Sequence, residues 1–97
     1  MRVISKKKLI DFWELEPSAK GDLQAWYAEA TRAEWKNPNE IRARYCKASV
    51  LQDGRVVFNI CGNRFRLVVW INYDFFTIYV RFLGTHAEYD DIDAQTI

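Results

Sequence analysis

Four side chains in the C-terminal third of this 97-residue sequence could act on an anionic group: Arg66, Arg81, His86 and Tyr89. Guanidinium groups keep their charge at any physiological pH and grip phosphate or carboxylate through paired donors. An imidazole and a phenol can carry or orient protons. The arginines fall in two runs that read as strands. In the first, Phe65, Leu67, Val69, Ile71 and Tyr73 alternate with Arg64, Arg66, Val68, Trp70 and Asn72. In the second, Phe76, Ile78, Val80 and Phe82 alternate with Thr77, Tyr79, Arg81 and Leu83. Period-two alternation of β-branched and aromatic residues marks strands with one face buried.

A turn near Tyr73-Asp74-Phe75-Phe76 places Arg66 and Arg81 roughly opposite, within a residue or two of register. Two guanidiniums there repel unless an anion sits between them, or unless carboxylates of the acidic tail pair with them. Both readings stay open at this point. Arg64, Trp70 and Asn72 share the parity of Arg66, and Tyr79 that of Arg81, so these four are candidate substrate contacts. Trp70 is the tryptophan to consider as a stacking or partner surface, whereas Trp13 and Trp26 lie on apolar helix stripes.

Thr85 and Glu88 have capping-box spacing, so a short helical turn starts after the second strand. Within it His86 and Tyr89 stand at i, i+3 and Asp90 at i+4, and all three can share a face. The alternative for His86 is an ordinary surface histidine. Cys61 sits at the end of a strand on the packing parity, with no helix N-terminus to activate it, so it reads as a packing residue. One histidine and no paired-cysteine spacing give no metal site, and no cofactor motif is present.

The elements that must position these groups follow from composition and order. A hydrophobic content of 49% is enough for a folded core, and 97 residues make a single domain, 1–97. A net charge of +1 excludes a broadly basic nucleic-acid binder. The charge is uneven, however. Arg55, Arg64, Arg66 and Arg81 face only Asp74 within residues 55–83, while Glu88, Asp90, Asp91 and Asp93 follow with no Lys or Arg. A local anion site fits that distribution. Two cysteines suggest a reduced, cytoplasmic protein, and no signal-peptide or membrane-spanning run is present.

In chain order, Met1 to Ile4 reads as a short edge strand. Ser5 is the expected N-cap of a helix with Leu9, Ile10, Phe12 and Trp13 on one stripe, ending by Glu16. Ser18 is expected to cap a second helix reaching Trp35, and Asn37-Pro38-Asn39-Glu40 starts a third with cap, proline and glutamate in order. Lys47 to Leu51 is a weak strand. Asp53-Gly54 is a hairpin turn into a strand over Val56–Ile60, and Gly62-Asn63 is the next turn. The fold class is therefore α+β, with N-terminal helices packed on one face of a small antiparallel sheet and a short C-terminal helical turn.

The segments VVFNICGNRFRLVVWINY and IYVRFLGTHAEYD, with MRVISKKKLIDFWE and AWYAEATRAEWKNPNEIRARY before them, resemble the HigB toxins, a RelE-like branch of bacterial toxin–antitoxin systems. The resemblance spans nearly the whole chain. It implies a RelE-like domain that cleaves mRNA, ribosome-dependently and without metal, and that is silenced by a HigA-type helix-turn-helix antitoxin. Carried over by position, Arg66 and Arg81 match the strand arginines, and His86 and Tyr89 match the terminal His-x-x-Tyr. Trp70 stands where the pattern leads one to expect a basic or polar residue, and Asp74-Phe75-Phe76 replaces a more polar turn. Two other functions fit the same face: an RNA-binding sheet that does not cut, and a domain that docks an acidic protein.

Overall fold

The computed structural model describes residues 1–97. At its centre is the strand Phe65–Asn72, whose residues from Phe65 to Val69 are all buried. The elements run β1 (Arg2–Ile4), α1 (Lys6–Leu15), a 3-10 turn (Pro17–Ala19), α2 (Lys20–Arg32), α3 (Pro38–Arg44), β2 (Ser49–Val50), β3 (Arg55–Ile60), β4 (Phe65–Asn72), β5 (Thr77–Thr85) and α4 (His86–Asp90). They form an α+β domain around a five-stranded sheet of order β1-β5-β4-β3-β2. β2 through β5 are antiparallel, as expected. The sheet as a whole is mixed, because β1 pairs parallel to β5 over Arg2–Ile4. No helix is long and apolar enough to cross a membrane.

One sheet face carries the helices. Leu9, Leu23, Trp26, Ala30 and Ile41 from the helices meet Val56, Phe58, Leu67, Val69, Ile71, Ile78 and Val80 in one core. Trp26 and Trp35 are both buried there, around the ring of Phe58. The second helix begins later and ends sooner than expected. Pro17–Ala19 winds as a 3-10 turn before it, and Ser18 makes no cap bond. At its other end the Met1 amino group donates to the Ala30, Thr31 and Ala33 carbonyls. A cation satisfying the last carbonyls of a helix is favourable both as a hydrogen-bond partner and against the helix dipole. Ser5 occupies the N-cap position of α1 but its side chain makes no cap bond. Asn37 does cap α3, its Oδ1 accepting from the Glu40 N–H.

The opposite face is covered by the chain itself. Val57, Val68 and Ala94 are buried together there, with Leu51, Phe82, Tyr89, Ile92 and Ile97 packed around them. Gln95 exchanges two hydrogen bonds with the Gln52 main chain. Arg55 donates from Nε and Nη2 to the Ile97 main-chain oxygen at 3.2 and 2.8 Å. Both faces of β4 are thus buried, which explains why its two parities are nearly equally apolar.

Turns set the register of this sheet. In the β2–β3 turn Asp53 and Gly54 take φ values of 56° and 82°, the doubly left-handed pair that matches strand twist. The β3–β4 turn falls on Cys61 and Gly62, one residue earlier than expected, with φ of 53° and 65°. In the β4–β5 turn the Asn72 side-chain Oδ1 accepts from the Asp74 and Phe75 N–H groups. Phe76 lies in that turn with φ 49° and does not begin the strand, and Phe75 is 78% exposed.

Two consequences can be measured. A Cβ at Gly54 would stand 2.6 Å from the Ile71 oxygen and 3.2 Å from the Trp70 indole nitrogen, on a backbone that L-residues rarely adopt. Gly54→Ala is expected to lower unfolding free energy by about 1–3 kcal/mol in a denaturant titration; an unchanged midpoint would mean that the turn rearranges freely. The second consequence concerns the cap of α4. Glu88 accepts from the Thr85 N–H at 2.8 Å while Thr85 Oγ1 accepts from the Glu88 N–H at 3.1 Å. The bond from the Thr85 backbone, then that with its side chain, holds the Glu88 carboxyl below its ordinary 4.5. A depressed carboxyl contributes stability fully above its unfolded value and loses it as pH falls through the folded one. Protection of the Thr85 amide in hydrogen exchange is therefore expected to persist on acidification through that ordinary value and to be lost only as pH falls through the lowered one. In Glu88→Gln the same measurement is expected to show no such step.

Candidate active site

A one-residue irregularity in β5 decides where the four candidate residues go. Val68 pairs with Phe82 and Val69 with Val80, so Arg81 is an extra residue between them. Such a bulge leaves one residue unpaired and re-aims the side chains beyond it. Before the bulge Ile78 and Val80 face the helices; after it Leu83 does, while Phe82 joins Val57 and Val68 on the other face. The expected parity of Phe82 and Leu83 is therefore reversed. So is the expected neighbourhood of the arginines. Arg66 pairs with Gly84, three residues from Arg81. The two are not opposite one another, because the sequence pattern cannot count the inserted residue.

Arg66 is only 9% exposed. Its Nη1 donates to the Asn63 and Phe65 carbonyls at 3.0 and 3.3 Å, and its Nη2 to Asn63 Oδ1 at 3.5 Å. The Tyr89 ring covers the guanidinium at 6.0 Å, a cation–π arrangement. Gly84, its cross-strand neighbour, has no side chain, and the Phe82 ring and the Glu88 carboxylate close over that spot. Arg66 thus lies beneath α4 in contact with Tyr89, and neutral oxygens take its hydrogen bonds.

The helix α4 carries the other two groups. His86 and Asp90 are joined Nδ1 to Oδ2 at 3.1 Å, both side chains half exposed, as the i, i+4 spacing predicts. The His86 N–H also donates to the Arg64 carbonyl at 3.0 Å, tying the start of α4 to the start of β4. Arg66, Tyr89, His86 and Asp90 therefore gather at one end of the sheet, around a capped turn.

Arg81 belongs to a second group. It is exposed and lines a shallow cleft of about 170 Å³ with Arg55 and Trp70. Trp70 lies against Tyr79, ring centroids 5.1 Å apart and planes 32° from parallel. The indole N–H donates to the Asp53 carbonyl at 2.7 Å. Arg55 pairs across the strands with Trp70, and Trp70 with Tyr79, so the three form one row. In the sequence Arg55 counts only toward the uneven charge; its place opposite Trp70 follows from pairing β3 with β4, which no single strand reveals. The row lies four residues along β4 from Arg66, about 13 Å at roughly 3.3 Å per residue, with Val68 and its tail cover between.

The remaining candidates stand apart. Arg64 Nη1 donates to Ser18 Oγ at 3.2 Å and its guanidinium lies over the Phe65 ring at 5.0 Å, so it leans toward the helical side. The Asn72 oxygen is taken up in the β4–β5 turn. The acidic tail does not neutralise the arginines: the carboxylate ion pairs are Lys7–Asp11, Arg44–Glu29 and His86–Asp90. Of the two explanations for the arginines, carboxylate pairing is thereby removed. Cys61 donates its thiol to the Ser18 carbonyl, and burial followed by the nearby Asp22 carboxylate pushes that thiol up, away from the reactive thiolate. No group of three His, Cys, Asp or Glu side chains is gathered as metal ligands would be.

Comparison with known proteins finds relatives over most of this chain. The family model of the HigB toxin, the RelE-like toxic component of a toxin–antitoxin system, matches residues 19–92. The mRNA interferase toxin HigB of Escherichia coli (strain K12) is 30% identical over 92 residues, covering 93% of this chain and 88% of that protein. The mRNA interferase HigB proteins of Escherichia coli O157:H7 and Shigella flexneri match to the same extent. On the reach of both matches, this chain belongs to the HigB family of RelE-like toxins.

Proposed function

We propose that this chain is an endoribonuclease that cleaves mRNA positioned on the ribosome, and that it is held silent in the cytoplasm by a HigA-type helix-turn-helix antitoxin. The observation that carries the reading is the cluster at α4, where a half-exposed His86 is joined to Asp90 and Tyr89, on the same short helix, lies over the guanidinium of Arg66. Its relatives, named as mRNA interferases, support the substrate class.

The chemistry is transfer of the phosphodiester to its own 2′-hydroxyl. The 2′-oxygen forms a bond to phosphorus and the bond to the 5′-oxygen breaks, leaving a 2′,3′-cyclic phosphate and a 5′-hydroxyl. His86 gives the proton that the departing 5′-oxygen takes up, and Asp90 orients the imidazole through Nδ1. Tyr89 orients the nucleotide, and the proton of the 2′-hydroxyl passes to solvent water as the 2′-oxygen bonds to phosphorus. Arg66 holds the Tyr89 ring from below and adds positive potential at the developing dianion. Arg81 supplies an exposed guanidinium for the RNA backbone, and Trp70 and Tyr79 an aromatic surface. The side chains needed are all organic, and the reaction as written uses no metal. A near-neutral protein with few phosphate contacts binds free RNA weakly, which favours a substrate presented by the ribosome.

Adding the purified chain to a translating extract and mapping new 5′ ends tests this reading. New ends bearing a 5′-hydroxyl are expected; intact mRNA, whether bound or not, would overturn it. His86→Gln keeps size and a hydrogen-bonding group but cannot transfer the proton. Single-turnover cutting is expected to fall about 10²–10⁴-fold with ribosome binding held, and a rate within a few-fold of wild type would remove His86 from the mechanism. Arg81→Ala is expected to abolish growth arrest on expression. Because Arg81 is exposed and makes no ion pair, the same change should alter stability by no more than about 0.5 kcal/mol in a denaturant titration. Loss of folded protein would mark the arginine as structural.

A further inference from the structure

We infer that Arg55, Arg81, Trp70 and Tyr79 form a separate nucleotide-binding subsite, which holds a backbone phosphate and the base of a nucleotide flanking the one that is cut. The inference rests on the proposed action on RNA and deepens its assignment of Arg81, Trp70 and Tyr79, with Arg55 as the new member of the site.

Three features carry it. The first is charge. Arg55 and Arg81 line the same cleft, and no Asp or Glu carboxylate pairs with either. Arg55 spends Nε and Nη2 on the oxygen of Ile97, which fixes the guanidinium in place at the cleft and leaves its Nη1 for a ligand. An anion entering the cleft meets Arg81, which is exposed and makes no ion pair, beside the fixed Arg55.

The second feature is the bulge. Arg81 is the residue inserted into β5 between the partners of Val68 and Val69. A bulge is a device for aiming a side chain, and here it brings Arg81 into the cleft of Trp70 rather than beside Arg66. A strand without the insertion would have kept Phe82 on the helical face, so the insertion also supplies the cover over Val57 and Val68.

The third feature is the state of the aromatic pair. Trp70 and Tyr79 lean on each other at 5.1 Å, and the indole N–H is already bonded to the Asp53 carbonyl. The ring is therefore held rigidly and has no donor left to read a base edge. It can offer only its face. That chemistry suits a base held by stacking with little sequence preference, adjacent to a phosphate held by two guanidiniums.

The experiment is equilibrium binding of a fluorescent 2′-O-methyl RNA pentanucleotide, which cannot be cut through a 2′-hydroxyl, to the full chain across a salt series. Arg55→Gln and Arg81→Gln are each expected to reduce the slope of log affinity against log salt by about 0.7, the value for one lost phosphate contact on a single strand. Trp70→Leu is expected to weaken binding about 5- to 150-fold with the slope unchanged, as for loss of one stacked base. Trp70→Phe, which keeps a ring but not the bond to Asp53, should stay close to wild type. The subsite is overturned if the wild-type chain does not bind the oligonucleotide, or if both arginine variants keep its slope. It is equally overturned if Trp70→Phe fails as badly as Trp70→Leu, which would make the indole a structural prop. An acidic peptide that binds as tightly with the same Trp70 dependence would replace RNA by a protein ligand. Cleavage in the translating extract is independent of all these readouts. A chain that binds as expected but never cuts loses the proposed activity and keeps the subsite, and a chain that cuts with unaltered slopes does the reverse.

Discussion

Burial of β4 on both faces is the constraint on which the rest of this structure depends. A strand closed from both sides must find an apolar partner layer above and below, or its side chains contribute little to folding. The helices supply one layer, through Leu9, Leu23, Trp26 and Ile41. The segment after β5 supplies the other, through Tyr89, Ile92, Ala94 and Ile97. A short polar-looking tail thus does the packing that a further helix would do in a larger domain.

That second layer divides the candidate residues. Because the tail crosses the middle of the sheet face, over Val57 and Val68, polar side chains reach the surface only on either side of it. On one side α4 sets Tyr89 above Arg66 and carries His86 joined to Asp90. On the other, Arg55, Trp70 and Arg81 line a cleft. The same covering segment ends on Arg55, whose guanidinium grips the Ile97 oxygen. The tail and the basic cleft are therefore joined through the side chain of Arg55.

The arrangement also separates two uses of a guanidinium. Arg66 is buried and shared among carbonyl oxygens and an aromatic ring, which makes it a positioning group with a long-range field. Arg81 is exposed and makes no ion pair, free to meet a phosphate. Side chains of one chemical type thus acquire different work from burial alone, since desolvation and fixed hydrogen bonds limit what a buried charge can exchange with a ligand.

Much of this was legible in the sequence because it depends on neighbours in the chain. The α+β class, the proline-initiated helix capped by Asn37, the Asp53-Gly54 turn and the capping box of Thr85 and Glu88 all arise from local backbone chemistry. The bond from His86 to Asp90 follows from helical spacing in the same way. Tertiary structure alone decided the rest. The parallel partnership of β1 with β5 joins residues far apart in sequence, and no local signal reports it. Arg55 enters the site only through its pairing with Trp70. The bulge at Arg81 inserts one residue into a period of two, so every face read beyond it from the sequence is reversed. It is tolerated because Phe82 and Leu83 are both apolar and both sides of the sheet are covered, so the alternation itself carried no record of which one faced the helices.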